Sequence, residues 1–78
     1  MKRVLFVDDE INVLNGLKRS LRSCARDWSM SFCQSGEAAL AAMEKFPDFD
    51  VVVTDLNMEG LSGADFLLQV REKYPQTV

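Results

Sequence analysis

The chain has 78 residues, 47% of them hydrophobic and 27% charged, with a net charge of −3. That is enough for one small globular domain; the acidic balance offers nothing global to nucleic acid, and no apolar run approaches the roughly 20 residues of a membrane span. With no histidine and two cysteines, Cys24 and Cys33, too far apart for a CxxC pair, a zinc site is excluded.

Val4 to Val7 is short and wholly apolar and reads as a central strand, closed by Asp8 and Asp9. Ile11, Leu14, Leu17 and Leu21 then recur at helical spacing. Asp9 or a neighbour can cap this helix, Glu10 suits its first turn, and it should run out near Ser23 to Ala25. Lys18, Arg19, Arg22 and Arg26 fall on it as a solvated face. Trp28 to Cys33 alternates apolar and polar, which is the period of a strand with one covered face, placed at a sheet edge. Cys33 reads as a small packing residue.

Gln34-Ser35-Gly36 is a turn with Ser35 as N-cap. The helix that follows carries Ala38, Ala39, Leu40, Ala42, Met43 and Phe46, and Pro47 ends it. Val51-Val52-Val53-Thr54 reads as a strand buried on both faces, with Asp55 at its end. A loop from Leu56 to Ser62 contains Gly60. Ser62 caps a third helix, with Asp65 three residues on and an apolar stripe of Ala64, Leu67, Leu68 and Tyr74. Pro75 terminates it, and Gln76-Thr77-Val78 resembles the start of another strand.

The order β-α-β-α-β-α implies an α/β protein, a parallel sheet with helices on both faces. An edge second strand and two central apolar strands give the order 2-1-3. Right-handed crossovers put the first helix on one face and the other two on the opposite face. The crossing direction reverses between the first and third strands, and ligands bind outside the carboxyl ends of the strands at such a reversal. Topology therefore brings Asp8, Asp9 and Asp55 together. Three crowded carboxylates repel unless a cation or a reaction compensates them. An oxygen-only donor set without His or thiolate suits a hard cation such as Mg²⁺. A carboxylate can also act as a nucleophile toward phosphorus, and Asp55, after a rigid strand and before a loop, is the best placed of the three. The competing reading is that all three are strand-end turn formers and helix caps.

Val4-Leu5-Phe6-Val7-Asp8-Asp9-Glu10 resembles the first strand and acidic pair of the receiver domain of two-component response regulators. Val51-Val52-Val53-Thr54-Asp55-Leu56-Asn57-Met58, followed by Gly63, resembles its phosphoacceptor strand and loop. The resemblance runs over the whole chain. It implies a flavodoxin-like, doubly wound fold, here truncated to strands 2-1-3 with three helices and the start of strand 4. It implies Asp55 as the phosphorylated residue, and Asp9, Asp55 and the backbone carbonyl of Asn57 as Mg²⁺ ligands, with Asp8 acting through water. The implied donor is a histidine kinase or a phosphotransfer protein, and the parent protein would carry an output domain.

The sequence departs from the family in two respects. Glu59 stands where Pro is usual. Residues 1–78 read as an incomplete receiver, lacking the Ser/Thr expected after the fourth strand and the Lys expected after the fifth. Phosphorylation of these residues alone is therefore expected to be impaired, and an exposed apolar strand edge is expected to drive a homodimer or oligomer. A non-phosphorylated pseudo-receiver, acting as a protein-interaction module, is the alternative. A haloacid-dehalogenase-type phosphatase needs a second Asp where Asn57 stands. The expected location is cytoplasmic, with no membrane or direct nucleic acid binding.

Overall fold

In the computed structural model, residues 2–24, 26–55, 58, 60–75 and 77 are described. Three strands, β1 (Lys2–Val7), β2 (Trp28–Cys33) and β3 (Val51–Thr54), alternate with three helices, α1 (Ile11–Ser20), α2 (Gly36–Lys45) and α3 (Gly63–Lys73). The sheet is parallel in the order β2-β1-β3, as the sequence pattern requires.

Each face of β1 nucleates one half of the core. Leu5 and Val7 pack with Ala39 and Met43 of α2, Phe66 and Val70 of α3, Phe49 and Met58. Val4 and Phe6 point the other way, onto Leu14 of α1, with Leu17, Leu21, Trp28, Met30, Phe32 and Val51 around them. Phe6 and Phe32, cross-strand partners, stack with centroids 5.1 Å apart. All four apolar residues of β1 are buried, which is why this strand reads as an unbroken hydrophobic run.

Several expectations are corrected. β3 is not buried on both faces: Val53 is 47% exposed and Val51 and Val52 are half-buried. Among the described residues β3 pairs only with β1, consistent with the exposed strand edge expected above, and Val51 and Val52 pack against the two opposite core clusters. α1 ends at Ser20, and a 3₁₀ turn (Arg22–Cys24) follows, so the four basic residues do not share one helix. All four are exposed, and Lys18 also places its Nζ 5.0 Å from the Phe32 ring centroid. Ile11 and Phe46 lie largely outside the core. On α3 the buried residues are Gly63, Phe66 and Val70; of the expected stripe, Leu67 and Tyr74 pack against the core while Ala64 and Leu68 are exposed. Ser35 and Ser62 cap as expected, accepting from the Ala38 and Asp65 amides at 3.0 and 3.2 Å. Of the expected fourth-strand start, Gln76 and Val78 lie outside the described residues, and Thr77 Oγ1 donates to the Phe49 carbonyl at 2.8 Å.

Candidate functional site: a carboxylate cluster at the sheet edge

The site follows from register. Val7 pairs with Thr54 on one side and with Cys33 on the other. The ladder continues one step further: the Asp55 amide donates to the Val7 carbonyl and the Asp8 amide to the Cys33 carbonyl, both at 3.1 Å. Parallel strands lie about 4.8 Å apart, so in-register partners leave the sheet as neighbours. Asp8, Asp9 and Asp55 each present a carboxylate oxygen, and these oxygens lie within 4.8 Å of one another. Asp8 and Asp55 are half-buried and Asp9 is exposed.

The Asp8 carboxylate has a second task. Its Oδ1 accepts from the Glu10 amide at 2.9 Å, making the turn that leads into α1. Glu10, expected in the first turn, instead occupies the N-cap position, where its side chain makes no cap. On the β3 side, Thr54 Oγ1 donates to the Asp55 carbonyl at 3.0 Å and sits 4.0 Å from the Met58 sulfur. Met58 is buried in the core, so the chain leaving Asp55 is pinned three residues later.

The donor chemistry fits a hard divalent cation. Three oxygen ligands within 4.8 Å of one another can share one ion, and among the described residues the group contains no imidazole or thiolate. Cys33 is the nearest thiol in sequence register, and burial pushes its pKa up, holding it in the neutral form that ligates poorly. Asn57 and Glu59 lie outside the described residues, so the expected carbonyl ligand and the Pro-to-Glu departure carry no structural account.

Sequence reasoning missed how the loop after Asp55 is held. Leu61 N donates to Glu37 Oε1 in the first turn of α2, at 2.9 Å. Gly60 turns the chain with φ of 72°, beside the same carboxylate. Gly36 lets Leu61 approach so closely that a Cβ there would come within 3.0 Å of Leu61 Cδ2. The glycines were visible in the sequence; the bond they flank, between Glu37 and Leu61 24 residues apart, was not.

Comparison with known proteins agrees with this fold. The family described as response regulator receiver domain matches residues 4–78. The chemotaxis protein CheY-3 of Vibrio cholerae is 37% identical over 71 residues, covering 88% of this chain and 52% of that protein. The hydrogenase transcriptional regulatory protein HoxA of Cupriavidus necator is 37% identical over 75 residues, covering 96% of this chain and 15% of that protein. Among solved structures, response regulator protein TrrA of Thermotoga maritima, in complex with Mg(2+)-BeF, superposes with a TM-score of 0.84 at 33% identity, covering 96% of this chain and 63% of that one. The chain thus spans about half the length of CheY-3 and far less of HoxA. It belongs to the response regulator receiver domain family. Among the described residues no helix is long and apolar enough to cross a membrane.

Proposed function

We propose that this domain accepts a phosphoryl group on Asp55, with Asp8 and Asp9 completing a Mg²⁺ site beside it. The observation that supports this most directly is the meeting of three carboxylates, within 4.8 Å, at the carboxyl edge of a parallel sheet where the crossing direction reverses. Asp55 is the acceptor on this reading because it leaves a strand bonded to β1 and is followed by a loop pinned at Met58. One of its oxygens attacks phosphorus, the bond from phosphorus to the donor breaks, and an acyl phosphate forms. A phosphohistidine donor leaves as neutral imidazole once its nitrogen takes a proton. A bound Mg²⁺ would offset charge on the transferring oxygens. Asp9, Asp55 and the Asn57 carbonyl are the direct ligands of this reading, and Asp8 acts through water while it fixes the turn into α1.

The donor would be a histidine kinase or phosphotransfer protein, and the receiver would act on an output domain. We take residues 1–78 as the strands 2-1-3 part of a receiver, with weak phosphoacceptance by these residues alone. The same reading includes association with a second copy through the β3 edge. An apolar cavity of about 550 Å³, lined in part by Val52, Leu67, Leu68 and Val70, opens beside that edge. Labelling with acetyl phosphate tests the acceptor. A longer chain containing these residues should form an acid-stable, hydroxylamine-labile adduct that Asp55→Asn abolishes. Labelling that persists in Asp55→Asn rules out the assignment.

A further inference from the structure

We propose that Glu37 is a positioning residue for the carboxylate site, a latch on α2 that holds the loop following Asp55. This rests on the reading of Asp8, Asp9 and Asp55 as a Mg²⁺ site. The segment from Asp55 to Ser62 links the cluster to α3 and has three described anchors. The Asp55 amide is bonded to the Val7 carbonyl, Met58 is buried in the core, and Leu61 N donates to Glu37 Oε1 at 2.9 Å. The first two anchors fix the segment's start and middle. The third ties its far half to α2, which packs in the core through Ala39 and Met43, and it does so beside the Leu61 side chain, which itself packs against that core and against Gly36.

The surroundings are shaped for this contact. A Cβ on Gly60 would stand 3.3 Å from Glu37 Oε2, and one on Gly36 would stand 3.0 Å from Leu61 Cδ2. Both glycines lie on the two sides of the same contact, and each gives room to the group opposite. A ligand set for Mg²⁺ tolerates little displacement, because the ion demands near-octahedral oxygens. Groups that orient metal ligands from outside typically change affinity by about 10- to 100-fold when removed. Glu37 is exposed, so its effect belongs at the lower end of that range.

A plainer role for Glu37 is that of an acidic residue in the first turn of α2, favourable to the helix dipole. The two roles separate by substitution. Glu37→Gln removes the charge but keeps an oxygen that can accept from Leu61 N; Glu37→Ala removes both. Mg²⁺ is titrated into the chain and into both variants at constant ionic strength, following amide shifts near Asp9 by NMR, with the folded fraction taken from urea curves. The latch predicts that Glu37→Ala weakens Mg²⁺ binding about 10-fold, moves the Leu61 amide resonance upfield, and leaves the chain folded. Glu37→Gln should restore both readouts to near the unsubstituted values. Equal weakening in both variants assigns the effect to charge and overturns the latch. So does equal affinity in Glu37→Ala and the unsubstituted chain, or a loss that only follows the folded fraction. No response to Mg²⁺ near Asp9 in the unsubstituted chain overturns the Mg²⁺ site itself, and the latch with it.

Discussion

The carboxylate cluster should cost the metal-free protein stability, and removing one member should show it. Two unit charges 4.8 Å apart, the largest separation in the cluster, repel by about 0.9 kcal/mol in bulk water and by about 3.5 kcal/mol at an effective dielectric of 20. Asp9 is exposed and the others are half-buried, so the water limit is the better guide, with salt reducing it further. Asp55→Asn removes two of the three pairwise repulsions and keeps the shape of the side chain. It should therefore raise stability by about 1–2 kcal/mol in EDTA. With Mg²⁺ at about a hundredfold excess over its Kd, the unsubstituted chain should gain about 2.7 kcal/mol. The variant should gain far less, so the order of the two urea midpoints reverses between EDTA and Mg²⁺. Ionic strength must be matched, because net charge alone responds to salt. A variant less stable than the parent in EDTA, or equal stabilisation of both by Mg²⁺, would show that Asp55 serves the fold and not a cation.

Three further outcomes are expected. Phe66→Ala should cost about 3–5 kcal/mol by urea denaturation, because Phe66 is 0% exposed between sheet and α3, while Leu68→Ala, 60% exposed, should stay within about 0.5 kcal/mol; equal effects would mean that the inward face of α3 is wrongly assigned. Gly60→Ala should cost about 1–2 kcal/mol, from a φ of 72° that L-residues disfavour, and should further crowd Glu37; a neutral result would show that the loop takes another conformation in solution. Sedimentation of the 78-residue chain at tens of micromolar should reveal a dimer or larger species that Leu68→Glu disperses; a monomer at that concentration removes the proposed association.

What the sequence made legible was set by local periodicity and by topology. Val4 to Val7 and the alternation in Trp28 to Cys33 state which strand is central and which is at an edge, and parallel register then delivers Asp8 and Asp55 to one place. The serine caps were equally legible, because a cap is decided within three residues. The errors arise where a segment's environment is decided elsewhere. Val51 to Val53 has the composition of a strand covered on both sides, but composition cannot say what lies over a face, and Val53 is left 47% exposed; the uncovered strand edge itself was expected. In α3, Phe66, Leu67, Leu68 and Val70 are apolar on both sides of the helix, so spacing alone admits two stripes; the buried one runs through Phe66 and Val70, with Leu67 and Tyr74 half-buried beside it. The Glu37 to Leu61 contact spans 24 residues and left no local signal at all.

The two ends of the sheet carry opposite electrostatic arrangements, and that contrast bears on why the carboxylates can persist. At the amino end, Arg3 N donates to Asp50 Oδ2 at 2.9 Å, and the Asp50 amide donates to the Arg3 carbonyl at 2.8 Å. The Arg3 guanidinium lies 5.4 and 5.1 Å from the Phe46 and Phe49 ring centroids and 3.5 Å from Asp48 Oδ2. The exposed ion pair contributes little by itself. Together with the ring contacts and the two hydrogen bonds between Arg3 and Asp50, however, it staples the start of β3 to β1 where unlike charges meet. At the carboxyl end, like charges meet instead, and the backbone ladder from Val7 to Asp55 holds them there. A small domain has only a modest margin of stability to lose. Repulsion of the size worked out above is tolerable at one end of β3 because the other end is fastened by contacts that do not depend on it.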